Sequence, residues 1–147
     1  DSSEKAGFTL PSSDPWLPVN SDSVWVNTVE QQHSDSLYNS YKELLSLRTG
    51  HPALRSGSVE LLPAKRLPKK VLGYTRTHHS EQLLILLNFA NSTQAITHPL
   101  PGLFSTEAAP LLLYSTFGSR TPASLSEQPF ELQPFEGLVI LRRDSGQ

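Results

Sequence analysis

Residues 36–54 read SLYNSYKELLSLRTGHPAL, and this stretch decides how the rest of the chain is organised. At a helical period of about 3.6 residues, Leu37, Tyr41, Leu44 and Leu45 fall on one face, with polar residues opposite. The pattern therefore predicts an amphipathic helix. Before this helix the sequence has the composition of a loop, and after it the patterns are those of short strands.

Signals for both ends of this helix are present. Asp35 and the serines beside it suit the first turn, where an anion and short oxygen side chains are favourable. Gly50 can adopt the left-handed conformation that ends many helices, and Pro52 prevents continuation. Arg48 lies in the middle of the apolar face, near the C-terminus of the helix. Its side chain is expected either to extend toward water or to form a buried ion pair with a neighbouring domain.

The composition excludes several classes of protein. The chain has 147 residues, enough for a real core, with 12 basic against 14 acidic residues. This balance argues against a surface for nucleic acid or anionic membrane, both of which require a basic excess. The sequence has no cysteine and no apolar run long enough to span a membrane, so disulfides, thiolate metal sites and a membrane segment are not expected.

Residues 1–35 are rich in Ser, Asp, Pro and Asn, and their apolar residues follow no sustained period. Such a segment needs another surface to lie on, and long loops of this kind are often functional. Trp16 and Trp25 are the candidate substrate-binding residues, because an aromatic ring can stack on a sugar face. The alternative is that both rings anchor the loop by burial.

From Gly57 onward the patterns are those of strands. Residues 83–87, LLILL, form a nearly unbroken apolar run that suits a strand buried on both faces, and we expect this strand to be central. It follows an alternating run at 70–77, and the polar residues 78–81 between them predict a hairpin. Further strands are predicted at residues 57–62, 93–97, 111–115 and 137–142. Several short strands of this kind predict an antiparallel β-sandwich.

The order and spacing of several segments resemble one region of the α-amylase superfamily, glycoside hydrolase family 13, and most of all its oligosaccharide α-glucosidases. The matching segments are Ala6–Thr9, Pro15–Asn20, Val26–Gln32, Asp35–Leu37, Tyr41, Leu44, Leu47–Arg48, His51–Leu54, Gly57–Leu62, Tyr74–Arg76 and Leu86–Phe89. The resemblance implies that residues 1–52 are the last loop and helix of a (β/α)₈ catalytic barrel. Residues 53–147 would be the antiparallel β-sandwich that follows it. In relatives, Asp1 would follow a segment of the barrel itself, so the chain is expected to be a piece of a longer parent.

The function implied by this resemblance is that of a non-catalytic C-terminal portion of a glycoside hydrolase acting on α-glucosidic bonds of oligosaccharides. Its partners would be the catalytic barrel, which it braces, and an oligosaccharide substrate reached through the parent. No cofactor and no nucleic acid are expected. Whether the parent is an enzyme depends on carboxylates upstream of this sequence, and the piece alone is expected not to catalyse.

The residues themselves offer no catalytic site. Glycoside hydrolysis requires two carboxylates across the scissile bond, and the acids here fall on loops, polar faces or the helix. His78 and His79 are adjacent and would point to opposite faces of a strand, so they favour a solvated turn over a metal site. His51, before Pro52, is expected to pack at the helix exit or to bridge the two domains.

Two functions of other classes stay open. One is the ectodomain of a non-catalytic relative, the heavy chain of an amino-acid transporter, which the segment Leu132–Leu138 also resembles. The other is a free-standing sugar-binding module. An α-glucosidase of bacterial type would be cytoplasmic, and a transporter heavy chain would be extracellular. In an extracellular protein the sequence Asn91-Ser92-Thr93 matches the pattern of a glycosylation site.

Overall fold

The computed structural model describes residues 1–97, 100, 110–118, 120 and 130–142. The chain divides into two compact units, Asp1–Ser46 and Leu47–Gln147. The first consists of turns and most of one helix, and the second, which we call the β unit, contains the strands. The expected boundary after residue 52 comes from the resemblance. It separates a part of the catalytic barrel from the β-sandwich, which the compact units do not test, and it stays a prediction.

The predicted helix is present as α1, Leu37–Gly50. Its cap is Ser36, whose Oγ accepts a hydrogen bond from the Asn39 N–H at 3.1 Å, while Asp35 is exposed. Gly50 is the last residue of the helix, and among the described glycines the positive φ belongs to Gly7. The expected left-handed stop at Gly50 is therefore wrong.

A proline explains how α1 ends instead. Pro52 disfavours helical angles in the residue before it, and His51 is extended, with φ −117° and ψ 107°. Pro52 then opens a second helix, α2, Pro52–Ser56, because its fixed φ suits a first helical position. The sequence pattern does not predict α2, because Pro52 there marks only the end of α1.

The strands follow α2. They are β1 Ser58–Leu61, β2 Val71–His78, β3 Glu81–Asn88, β4 Gln94–Ile96, β5 Leu111–Ser115, β6 Phe130–Leu132 and β7 Gly137–Arg142. The predicted segments 111–115 and 137–142 match β5 and β7 at both ends, and the other predicted strands differ from the structure by a residue or two. Strand β6 was not predicted.

In the part of the chain that the structure describes, the strands form two antiparallel sheets. One has the order β1-β2-β3-β7-β5, and the other pairs β4 with β6. The β2–β3 hairpin closes through His79 and Ser80, with His78 opposite Glu81 as the last pair. His79 has φ 51°, the left-handed conformation that such tight turns require. The polar turn predicted at 78–81 is thus shorter than expected.

Strand β3 is central and is covered on both faces, as its apolar run predicted. Leu84 and Leu86 lie in the main cluster between the two sheets, together with Ile96, Phe130 and Leu138 among others. Leu83 and Ile85 point to the opposite face, where they pack with Ala53 of α2 and Val139 of β7. Leu87, at the end of the run, is half-buried. The expected antiparallel β-sandwich is confirmed.

One end of the sheet is fixed by buried polar groups. Glu136 accepts hydrogen bonds from Arg120 Nε at 2.5 Å and Arg120 Nη2 at 2.6 Å, and its side chain is fully buried. The buried Asn88 donates to the carbonyl oxygens of Ser92 and Gln133 at 3.0 and 2.8 Å. A charge or amide buried in this way is tolerated because its partners are complete.

We expect Leu84→Ala to lower the free energy of unfolding by about 2–5 kcal/mol, because it leaves a cavity between the two sheets. The matched control is Val59→Ala on the edge strand β1, where the side chain is 57% exposed and the expected change is within about 0.5 kcal/mol. Urea denaturation followed by circular dichroism measures both. Equal changes in the two variants would contradict a central position for β3.

Candidate functional site

The segment before α1 is held by local polar contacts. Lys5, Ala6 and Gly7 all have positive φ, which is costly for the first two residues. Lys5 Nζ donates to the carbonyl oxygens of Pro11 at 2.9 Å and Ser13 at 2.8 Å. These bonds close a compact loop around a strained turn, and they leave the loop's apolar side chains on its outside.

Both candidate tryptophans are exposed. The side chain of Trp16 is 91% exposed and that of Trp25 is 74% exposed. Trp16 lines a mainly apolar cleft with Phe8, Leu17 and Val19. Burial of the two rings within this unit, which was one of the two expected roles, is therefore not what the structure shows.

The apolar face of α1 is also exposed. Leu37 is 75% exposed, Tyr41 64%, Leu44 39% and Leu45 54%. At the start of the helix this face continues into a groove, which Leu37 and Tyr41 share with Val26 of the preceding loop. Exposed apolar side chains grouped on one face in this way typically mark a contact with a partner. Within the described residues, no helix is long and apolar enough to cross a membrane.

Two glutamates are shielded from solvent, and each is engaged by basic and backbone groups. Glu136 is paired with Arg120 inside the β unit. Glu81 accepts from His51 Nδ1 at 2.6 Å and from the Ala53 N–H at 2.7 Å. Every other acidic residue that the structure describes is exposed. The described carboxylates thus show no facing acid and base of the kind that glycoside hydrolysis requires.

The basic residues singled out from the sequence serve structural contacts. Arg48 Nη1 donates to the Leu54 carbonyl oxygen at 2.6 Å, so it extends past the end of α1. His78 and His79 form an edge-to-face pair with ring centroids 4.3 Å apart. Among the described residues, no group of three His, Cys, Asp or Glu side chains is placed to hold a metal ion.

The two shielded ion pairs are not predictable from the sequence pattern. His51 and Glu81 are 30 residues apart, and Arg120 and Glu136 are 16 apart. No local pattern connects either pair, because the contact exists only after the hairpin or the loop before β7 has folded. The first N–H groups of a helix need acceptors from outside it, and this need could have indicated a partner for α2. It gives no indication as long as α2 itself is not predicted.

The comparisons with known proteins point to one group of enzymes. No family model matches the sequence. The oligo-1,6-glucosidase of Parageobacillus thermoglucosidasius is 31% identical over 140 residues, which are 95% of this chain and 23% of that enzyme. The trehalose-6-phosphate hydrolase of Bacillus subtilis is 27% identical over 95% of this chain and 23% of its own length.

Solved structures give the same correspondence. The trehalulose synthase MutB of Pseudomonas mesoacidophila superposes with a TM-score of 0.74 at 27% identity, over 96% of this chain and 24% of that one. For an isomaltulose synthase variant of Erwinia rhapontici in complex with D-glucose, the TM-score is 0.71 at 26% identity, over 98% of this chain and 24% of that one. This chain spans about a quarter of the length of the relatives it matches.

The exposed face of α1 predicts self-association of the isolated chain, since each of its side chains would gain roughly 1.5–3 kcal/mol on full burial. We expect Leu37→Glu combined with Leu44→Glu to shift sedimentation toward the monomer and to leave the melting of the β unit unchanged. Lys42→Glu on the polar face is the control, because it changes the net charge by the same amount. A double variant that unfolds the β unit would contradict this assignment.

Proposed function

Because the chain resembles, over nearly its whole length, the C-terminal part of glycoside hydrolase family 13 proteins, most like the oligosaccharide α-glucosidases, we propose that it is the non-catalytic C-terminal portion of such an enzyme. The parent would act on α-glucosidic bonds of oligosaccharides. This portion would brace the catalytic barrel and contribute to its rim.

The observation that carries this proposal is the coverage of the matches. Relatives align with about 95% of this chain but only about 23% of their own length, so the aligned part is a minor portion of a larger enzyme. The carboxylates support the non-catalytic role, because the two shielded ones, Glu81 and Glu136, are already occupied by basic partners.

The distribution of apolar surface supports the bracing role. The β unit encloses its own core around β3, whereas the face formed by Leu37, Tyr41, Leu44 and Leu45 is left exposed. In the proposed assembly this face packs on the barrel. A helix whose apolar stripe lacks a cover within its own unit is most stable when a neighbouring domain supplies one.

We assign the exposed rings of Trp16 and Trp25 to the same neighbouring surface. The cleft beside Trp16 is lined mainly by Phe8, Leu17 and Val19, and a sugar site would require several well-placed hydrogen-bonding groups around the ring. Direct contact of either ring with the oligosaccharide is the alternative. Titration of tryptophan fluorescence with isomaltose, in the chain and in Trp16→Phe, distinguishes the two roles.

The other functional classes have no comparable support. The relatives reported above are hydrolases or synthases of sugars, and neither a transporter subunit nor a separate sugar-binding module is among them. Asn91 is exposed in the bend after β3, so its side chain is accessible. Exposed polar residues are common in bends, and this position alone does not indicate glycosylation.

We expect the purified chain to show no turnover of isomaltose, maltose or an aryl α-glucoside, because the required pair of carboxylates is not formed by the residues that the structure describes. Release of glucose or of the chromophore measures this directly. Glu81→Gln and Glu136→Gln serve as matched variants. Turnover that persists through purification and is lost in a variant of a local acid would overturn the non-catalytic assignment.

A further inference from the structure

A carboxylate at the tip of the β2–β3 hairpin binds the junction between α1 and α2. Glu81, the first residue of β3, accepts from His51 Nδ1 through Oε1 at 2.6 Å. Its other oxygen, Oε2, accepts from the Ala53 N–H at 2.7 Å. Both side chains of the ion pair are about four-fifths shielded, with 21% exposure for His51 and 22% for Glu81. All of these residues belong to the same compact unit.

The backbone of α2 explains why a carboxylate is needed there. The first backbone N–H groups of a helix have no partner within it. Pro52 has no N–H, and the His51 side chain does not cap the helix, so the Ala53 N–H is the first donor that needs an acceptor. Glu81 supplies that acceptor from another element. Ala53 is fully buried, so an unpaired N–H at this position would be costly.

The carbonyl of Ala53 is held as well. Arg76 Nε of β2 donates to the Ala53 oxygen at 2.9 Å, and the Gly57 N–H donates to it at 3.1 Å. A Cβ added at Gly57 would lie 2.5 Å from that same oxygen, so the backbone approaches closely here. The junction therefore contacts the hairpin through polar groups on both sides of one residue.

The charged groups that surround Glu81 are basic. His51 faces it from the junction and His78 faces it from β2, with the ring of His79 stacked edge-to-face on His78. Arg76 lies beyond the Ala53 carbonyl. The charged residue of α2, Arg55, is exposed, and on the β7 side the nearest register position is Arg142, opposite Gln82.

These surroundings determine the protonation of Glu81. Burial by itself raises the pKa of this carboxyl, but the hydrogen bonds from Ala53 and His51 and the positive charges of His51 and His78 outweigh it. The pKa of Glu81 is therefore held below its ordinary value of 4.5.

We propose that Glu81 forms an acid-released joint: the ionised carboxylate fixes the α1–α2 junction on the β unit, and a protonated Glu81 releases it. The Ala53 N–H is a donor, and His51 Nδ1 donates to the ionised carboxylate, so a carboxyl group that carries its own proton cannot remain a strong acceptor toward both. Because its folded pKa is lowered, Glu81 stabilises the junction fully above about pH 4.5, and that contribution is lost as the pH falls through the folded value. A role of this joint in holding a catalytic barrel rests on the proposed function. The release of the junction on protonation of Glu81 does not depend on that function.

The test follows the Ala53 amide in the whole chain by NMR between pH 7 and pH 2.5. We expect its proton shift to titrate with a midpoint below 4.5, because its acceptor is the Glu81 carboxylate. Protection factors of residues 51–56 should fall through that midpoint, while those of residues 83–86 remain high.

Two variants make the assignment specific. Glu81→Gln keeps the shape of the side chain but not its charge, and it should abolish the titration and leave the junction weakly protected even at pH 7. Glu60→Gln, at an exposed acid on β1, should leave the titration as in the original chain.

Three results would overturn the proposal. They are a midpoint at or above 4.5, an Ala53 shift that does not titrate, and a loss of protection at 83–86 together with 51–56. The last would mean that the junction opens only when the whole unit unfolds. None of these results depends on glycoside turnover, so failure of the joint and failure of the proposed function can be told apart.

Discussion

The fold depends on one strand that must be covered on both faces. Since Leu83, Leu84, Ile85 and Leu86 are consecutive and apolar, a strand that contains them exposes two leucine-sized residues on each side unless both sides are packed. The small sheet of β4 and β6 covers one side, and Ala53 of α2 helps to cover the other. The order of the large sheet, with β3 in the middle, satisfies the same requirement.

The unit Asp1–Ser46 has the opposite arrangement, because its apolar side chains are not covered. Its turns are held by polar contacts such as those of Lys5 and Ser36, and its large apolar side chains lie on the outside. Burial of apolar surface is the main favourable term in folding, so a unit that leaves Trp16 and Leu37 in water gains little from its own contacts. This contrast is the physical basis for proposing that the helix face packs on a catalytic barrel, and it agrees with the share of the relatives that the chain covers.

The sequence predicted those features that repeat along the chain. The 3.6-residue pattern located α1, and the runs at 83–87 and 137–142 located β3 and β7, because one local period decides each element. The features it did not predict depend on contacts between distant residues. The first free N–H of α2 finds its acceptor in Glu81, 28 residues away, and the buried Glu136 is paired with Arg120. Gly50 was given a left-handed conformation because that is common in glycine, but Pro52 already ends the helix without it.

The most direct measurement of this account is a map of amide hydrogen exchange over the whole chain. We expect residues 83–86 to be the slowest to exchange, with a free energy of opening near that of global unfolding, and residues 1–46 to exchange through local opening. Equal protection of residues 37–45 and 83–86 would contradict it. In that case the helix would be part of the same cooperative core, and it would not need a neighbouring domain to be stable.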